Sequence, residues 1–252
     1  MHASSPLAYA WRALAVANGP SIRQALPVAE ASRRALMAVV RRGHVPSDDA
    51  MPDALTARHG GSPARGHEHL AVLPCDLARR GRIDTLLLRV SGGFPPEVHA
   101  ALADLRTIRV RRDLALRVEP VALPEAPFRP SSTFESTTPF LCPRFPKLRG
   151  GRPRRDPEGR WIHGPEQQLR FLLAEQGLPE PLPLAAHDVR FGVWEKGRLI
   201  PWHRFDRERR HGGGRRGLSE GFGWRICFPC PIRGPIASGY ASHFGLGQFH
   251  PV

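Results

Sequence analysis

Lysine, cysteine and long hydrophobic runs are all scarce in this sequence. Lys147 and Lys196 are the only lysines among 37 Lys and Arg residues. No apolar stretch approaches the roughly 18 residues of a membrane-spanning helix, and no secretory signal peptide is visible. We therefore expect a cytoplasmic protein that has no membrane partner.

The four cysteines do not provide the framework of a disulfide-rich protein. Cys227 and Cys230 form a single CxxC motif in RICFPCPI, and no second pair stands at the spacing of a zinc site. The pair could be zinc ligands or two small core residues. Because the surrounding run is apolar and strand-like, the sequence favours the core, and we expect neither a metal nor a cofactor.

Positive charge is in large excess. The 37 Lys and Arg residues against 23 Asp and Glu give a formal charge of +14 and a pI near 11.2. Arginine stays protonated and forms forked contacts with phosphate. A GC-rich genome would favour arginine over lysine, but it would not produce an excess of bases over acids. The charge balance therefore predicts a nucleic-acid-binding protein.

The chain is long enough for one large domain or two small ones. Residues 1–20 are weakly patterned, and we expect them to be a leader. A first domain is predicted over 21–123 and a second over 133–252. Pro124, Pro127 and Pro130 favour a linker over 124–132.

The first domain alternates strands with helices. A helix is predicted from Pro27 to Gly43, with Val28, Ser32, Ala35, Leu36 and Val39 on one face. The remaining predicted elements are strands over 69–74 and 84–90, a helix over 95–105, and paired strands over 107–112 and 114–121. This order is typical of a ferredoxin-like unit.

The second domain follows a similar order. Its predicted elements are a strand over 136–145, a helix over 165–177, and strands over 188–194 and 223–230. The glycine-rich stretch GYASHFGLGQFHPV ends the chain. The predicted fold class is α+β, with two tandem ferredoxin-like (RRM-like) domains and a C-terminal glycine-rich loop.

Two clusters of arginines stand in the second half, each beside a predicted strand and each containing glycines. They are candidates for loops that follow a phosphate backbone, although a solvated loop without a ligand is the alternative. The first cluster holds Arg144, Lys147, Arg149, Arg152, Arg154 and Arg155, and the second holds Arg204, Arg207, Arg209, Arg210, Arg215 and Arg216.

Five stretches carry a resemblance to a known family: GHEHLAVLP (66–74), GRIDTLLLRVSGGF (81–94), ESTTPFLCPRFPKLRGG (135–151), EQQLRFLLAEQGLPEP (166–181) and ASHFGLGQFHP (241–251). The sequence resembles the RAMP superfamily of CRISPR-associated RNA-binding proteins. It looks most like the repeat-RNA endoribonuclease at the C-terminal end of the fused backbone-cap and processing protein of subtype I-G (formerly I-U) systems. The fused protein has a further N-terminal RAMP portion, and this sequence starts after it. Either the nuclease half is a separate polypeptide here, or a partner such as a separate backbone-cap subunit supplies the missing half.

The resemblance implies a metal-independent endoribonuclease that cuts CRISPR repeat RNA to make guide RNAs. The expected partners are repeat RNA, guide RNA and other subunits of a type I effector complex, to which the enzyme could stay bound. Cleavage of this kind needs a base for the 2′-hydroxyl, an acid for the leaving 5′-oxygen and a cation beside the phosphate. Histidine suits the first two roles because its pKa lies near neutrality.

His67 and His69 stand two residues apart at a predicted strand entrance, so both side chains would share one face. They could act as an acid–base pair, or one could be structural and the other exposed. The HxH pattern also occurs in zinc sites, but no third ligand stands nearby.

The C-terminal loop supplies a third candidate, His243, next to Gly245 and Gly247. Glycines allow the backbone to approach a phosphate, so the loop is interpreted as a phosphate cradle with a catalytic histidine. The alternative is a tight turn that packs Phe244 and Phe249 into the core, and both can hold together. Tyr240 is a further candidate for a proton or phosphate contact, with a core or surface position as the alternative. Lys147 could contact the scissile region or lie in a solvated loop.

Two other functions stay open. A non-catalytic RAMP subunit that clamps guide RNA would have the same charge and fold but would not cleave RNA. A zinc-dependent enzyme would use the HEH and CFPC motifs, and stoichiometric zinc in the purified protein would support it.

Overall fold

The structure is a computed structural model that describes residues 9–56, 58–59, 62–63, 69–150, 152–184, 191–195, 197–209 and 216–252. The described residues up to 124 form one compact unit, and those from 125 onwards form a second. The paired strands are antiparallel and are combined with a few helices. The fold class is therefore α+β, as the sequence predicts.

The first unit is built around a five-stranded sheet. Its elements are β1 (Tyr9–Ala17), α1 (Ala25–Gly43), α2 (Asp53–Thr56), β2 (Arg58–His59), β3 (Ser62–Pro63), β4 (Ala71–Cys75), β5 (Thr85–Ser91), α3 (Pro96–Asp104), β6 (Thr107–Arg111) and β7 (Leu114–Val121). The order across the sheet is β4-β5-β1-β7-β6. Without the edge strand β6, the strands β1, β4, β5 and β7 correspond to the first, second, third and fourth strands of a ferredoxin-like unit. β1 lies between β5 and β7, which is the ferredoxin-like order.

β1 is a central strand of this sheet, whereas the sequence analysis assigned residues 1–20 to a leader. Ala13 pairs with Leu87 of β5 on one side and with Val121 of β7 on the other. Two physical features conceal the strand. Four of its nine residues are alanine, which has little strand preference, and the neighbours Ala13 and Leu14 are both buried, so the alternation is lost.

Helix α1 confirms the helix predicted from Pro27, although it begins two residues earlier. Val28, Ser32, Leu36 and Val40 are buried at intervals of four residues, and the helix packs against β4, β6 and α3. It has 19 residues. No helix in the described part of the chain has the length and hydropathy needed to cross a membrane.

The second unit contains a four-stranded sheet. Its elements are β8 (Pro130–Ser136), β9 (Leu148–Arg149), β10 (Arg152–Pro153), α4 (Pro165–Glu175), β11 (Gly192–Glu195), β12 (Arg198–Pro201), β13 (Arg225–Arg233), β14 (Ile236–Ala237) and β15 (Gln248–Pro251). The sheet order is β13-β8-β15-β14. Helix α4 contributes Leu169 and Leu173 to a core that also holds Phe134, Phe140 and Phe249.

This second sheet is a reduced ferredoxin-like arrangement. The strands β13, β8 and β15 occupy the third, first and fourth positions of the fold. Leu182 donates its backbone N–H to the Cys227 carbonyl at 2.8 Å, so the chain after α4 runs along the outer edge of β13. The second helix of the fold is reduced to a 3-10 turn, Ser242–Phe244.

Three predicted segments of the second half differ from the structure. The strand expected over 136–145 corresponds to β8, which lies earlier in the sequence, at Pro130–Ser136. β8 therefore includes the last residues of the linker predicted over 124–132. Pro130 misleads because proline is tolerated at the first residue of a strand. The strand expected over 188–194 corresponds to β11, which pairs with β12 in a separate hairpin; residues 185–190 lie outside the described part.

The CxxC motif does not lie in the core as the sequence analysis favoured. Cys227 is half-buried and Cys230 is exposed. Pro229 and Pro231 cannot donate to the strand ladder, and the pairing of β13 with β8 shifts register between Cys227 and Ile232. The prolines therefore place Cys230 in a bulge that faces solvent.

Thiol reactivity should separate the four cysteines. Burial, with a smaller contribution from Glu220, raises the pKa of Cys142 to about 12, and burial also raises the pKa of Cys75. Neither thiol should ionise at pH 7.5, whereas Cys230 is accessible. A chromogenic disulfide reagent should modify Cys230 first, and Cys230→Ser should remove the fastest phase. Fast modification of Cys75 or Cys142 in the folded protein would contradict this placement.

Candidate nucleic-acid interface

The first arginine cluster lies on a loop with an ordered base. Strands β9 and β10 form a short hairpin in which Arg149 pairs with Arg152. Below it, Lys147 N–H donates to the Ile162 carbonyl at 3.1 Å, and Ile162 N–H donates to the Arg154 carbonyl at 2.9 Å. The backbone is therefore fixed while the long side chains extend from it.

The charges of this cluster are uncompensated. No carboxylate in the described part of the chain lies within ion-pair distance of any of its six cations, whereas Nε of Arg160 lies 2.9 Å from Asp156. Like charges in one short loop repel each other unless an anion binds. The six exposed cations are Arg144, Lys147, Arg149, Arg152, Arg154 and Arg155.

The second arginine cluster is partly used within the protein. Arg216 forms an ion pair with Glu208, and Arg207 donates to the Ser219 carbonyl. The guanidinium of Arg209 lies 4.2 Å from the centroid of the Phe244 ring, which brings this cluster to the C-terminal loop. Arg204 is exposed, and Arg210 and Arg215 lie outside the described residues.

The C-terminal loop joins β14 to β15 through a series of left-handed backbone conformations. Gly239, Gly245 and Gly247 have φ of 96°, 79° and 60°, and Ala241 has φ of 57°. The loop also anchors to a neighbouring segment, because Tyr240 N–H donates to the Leu141 carbonyl at 2.9 Å. Glycine is favoured at positions 239, 245 and 247 because L-residues such as Ala241 adopt these angles only rarely.

Gly247 has a structural role in addition. Its N–H donates to the Pro139 carbonyl at 2.8 Å, and a Cβ at this position would lie 1.8 Å from the Ser238 carbonyl oxygen. Gly245 and Gly247 are both buried. The N–H of Gly247 is therefore bonded within the protein. In this conformation it is not available to a phosphate, as the predicted cradle would require.

Gly247→Ala should destabilise the second unit strongly. The methyl group would collide with Ser238, and we expect a loss of about 3 kcal/mol or more. Gly150→Ala is a matched control, since Gly150 has φ of 56° and open space around its missing Cβ. Its cost should be about 1 kcal/mol, or roughly 2–4 °C in Tm by thermal denaturation. Equal Tm losses in the two variants would show that the close approach at Gly247 is unimportant.

The two side chains that the loop presents are Tyr240 and His243, both half-buried. Phe244 and Phe249 point inward and are 6% and 0% exposed. The tight-turn interpretation is thus confirmed for the aromatics. His243 lies beside Phe244, whose ring contacts Arg209, so an imidazole and a guanidinium approach the same short turn.

The other histidine candidates belong to the first unit. His69 is half-buried and precedes β4, while His67 lies outside the described residues. No group of three metal-ligating side chains that could hold a metal ion occurs among the residues the structure describes.

The sequence analysis missed two exposed aromatic side chains near the first arginine cluster. Phe145 is 65% exposed and Phe171 is 54% exposed. The signal for Phe171 was present, because it lies two residues from both Leu169 and Leu173, which face the core. At helical spacing it must point away from them.

Comparisons with known proteins give structural likeness only. No protein-family model matches the sequence, and no curated protein matches it. One similar solved structure is a CRISPR-associated protein Cas6, with a TM-score of 0.38, 10% identity, and coverage of 97% of this chain and 98% of that chain.

Two further solved structures are similar. A RAMP protein binding different RNA substrates has a TM-score of 0.40 and 13% identity, over 97% of this chain and 99% of that chain. A Cas6 product complex has a TM-score of 0.39 and 15% identity, over 96% and 99%. The strand orders given above, rather than these similarities, define the fold of this chain.

Proposed function

We propose that this protein binds RNA through the loop at residues 144–155, and that the RNA is a CRISPR repeat or the guide made from it. The observation that carries the proposal is the set of six exposed cations, beside which no carboxylate lies among the described residues. Such a loop neutralises phosphates and releases their counterions on binding. Repeat RNA as the particular ligand comes from the sequence resemblance.

We also propose that the protein cuts this RNA without a metal. A neutral imidazole would take the proton of a 2′-hydroxyl, whose oxygen attacks the neighbouring phosphorus. The bond to the 5′-oxygen breaks, and an acid donates a proton to that oxygen. The products are a 2′,3′-cyclic phosphate and a 5′-hydroxyl. His243 is the candidate in the second unit, and His67 and His69 are those in the first.

Nearby groups suit the remaining roles. Arg209 lies against Phe244, next to His243, where a guanidinium would stabilise the charge of the phosphate. Tyr240 is half-buried in the same loop and can hydrogen-bond to a phosphate oxygen.

A non-catalytic guide-RNA clamp is the second candidate. It is favoured by the C-terminal loop itself, since Gly245 and Gly247 are buried and the Gly247 N–H is already bonded to Pro139. In either case we propose that other subunits of a type I effector complex, including a backbone-cap subunit, bind the protein.

A cleavage assay separates the two. Labelled CRISPR repeat RNA is incubated with the protein in excess EDTA, and the product ends are identified. We expect a single cut that leaves a cyclic phosphate. Tight binding without any cut would establish the clamp, and absence of binding at low salt would remove both.

A further inference from the structure

Helix α4 carries an exposed ridge that borders a groove in the second unit. Gln167, Phe171 and Glu175 follow one another at intervals of four residues, so they share one face of the helix. The groove has a volume of about 400 Å³ and is completed by Arg144 and His163. This size lies within the usual range of small-molecule sites.

The two ends of the groove have opposite charge. Arg144 and His163 lie at the N-terminal end of α4, where the helix dipole is positive. Glu175 lies at the other end, eleven residues from Gly164, which is three turns or about 16 Å along the helix axis. Among the described residues neither Arg144 nor Glu175 has an oppositely charged partner within ion-pair distance.

The cationic end is held rigid by a buried amide. Gln168 is 8% exposed, and its Oε1 accepts from the Arg144 N–H at 3.1 Å. Its Nε2 donates to the Arg144 carbonyl at 3.0 Å and to the His163 carbonyl at 2.7 Å. His163 itself has φ of 56°, and its N–H donates to Gln167 Oε1 at 2.7 Å. The groove is therefore preformed, which lowers the entropy cost of binding.

From this geometry we infer that the groove binds one unpaired guanine nucleotide of the RNA. The phosphate binds Arg144 at the positive end, and the base stacks on the exposed ring of Phe171. The carboxylate of Glu175 can only accept hydrogen bonds at neutral pH. Guanine presents two adjacent donors, N1–H and N2–H₂, which match the two oxygens of a carboxylate.

Charge favours a nucleotide over a protein segment as the occupant. Arg144 begins the uncompensated cluster at 144–155, so the groove opens at the surface proposed to bind the phosphate backbone. The inference rests on the proposed RNA binding, and it adds a base preference that the arginine loop alone would not have. A protein partner would have to place an apolar peptide in the groove, and the six neighbouring cations would not interact favourably with such a peptide.

The test uses mononucleotides and therefore does not require repeat RNA to bind or to be cut. Saturation-transfer NMR is recorded with 5′-GMP, AMP, CMP and UMP on the full chain. We expect 5′-GMP to bind at least about tenfold more tightly than UMP, and Phe171→Ala to weaken it by about tenfold. Phe191→Ala is the matched control, since Phe191 is 64% exposed but does not line the groove, and it should have no effect.

Glu175→Gln should abolish the preference for GMP over the other mononucleotides while retaining stacking. Equal binding of all four mononucleotides by the wild type would overturn the inference, as would GMP binding that survives Phe171→Ala unchanged. After either result, a protein segment would be the remaining candidate for the occupant of the groove. If GMP binds as expected but repeat RNA does not bind, the groove site stands and the proposed function falls.

Discussion

Replacing Arg149, Arg152 and Arg154 by glutamine is expected to weaken the binding of repeat RNA by about 10- to 100-fold at low salt. These side chains are exposed and have no acidic partner among the described residues, so their charge is available to phosphate. Each lost phosphate contact should also lower the slope of log Kd against log salt by about one. Equilibrium binding over a series of KCl concentrations measures both effects.

A control variant removes the same charge from paired arginines. Arg111, Arg160 and Arg170 form ion pairs with Asp113, Asp156 and Glu166. Their replacement by glutamine lowers the net charge by the same three units, but it should change RNA affinity by less than about threefold. If both triple variants lost affinity equally, RNA binding would depend on net charge alone, and the loop would not be the interface.

His243→Ala is expected to reduce the rate of repeat-RNA cleavage in EDTA by about 10²- to 10⁴-fold. His243 precedes Phe244 in the C-terminal loop, and the Phe244 ring contacts the Arg209 guanidinium. We propose that the imidazole acts there as a base or an acid. Binding should change little, because the phosphate contacts are proposed to come from the loop at 144–155. Single-turnover rates and Kd values measured on the same RNA separate the two effects.

His203→Ala is the matched control for this variant. His203 is exposed on the 3-10 turn Trp202–Arg204 and borders the second arginine cluster. Its removal should leave the cleavage rate within about twofold. A rate that is unaffected by His243→Ala but lost in His67→Ala or His69→Ala would assign the chemistry to the first unit and leave His243 a structural role.

The sequence predicted the fold class because its strongest signals survive in the structure. Helix α1 presents Val28, Ser32 and Leu36 at helical spacing, and the β6–β7 hairpin shows the alternation of half-buried strands. Strand β1 could not be found because its alanines carry little strand preference and because the neighbours Ala13 and Leu14 are both buried. Such a strand is defined by the neighbours it pairs with, which lie far away in sequence.

The candidate site was predictable in charge but not in geometry. The basic cluster at residues 144–155 was predictable because its arginines lie close together in the sequence. Which arginines are compensated depends on carboxylates placed by the fold, as Glu208 is beside Arg216. The engagement of Gly247 depends likewise on Pro139 and Ser238, about a hundred and about ten residues away in the chain. The spacing of residues in the sequence shows neither which arginines are paired nor how Gly247 is bonded.

The most direct test of the proposed activity removes a single 2′-oxygen from the RNA. Once the cut is mapped, a repeat RNA with a single 2′-deoxy nucleotide at that position is compared with the unmodified RNA in excess EDTA. The account predicts binding within about twofold of the unmodified RNA and no detectable cleavage, because the attacking 2′-hydroxyl is absent. Cleavage of the deoxy-substituted RNA at the same bond would contradict the proposed mechanism.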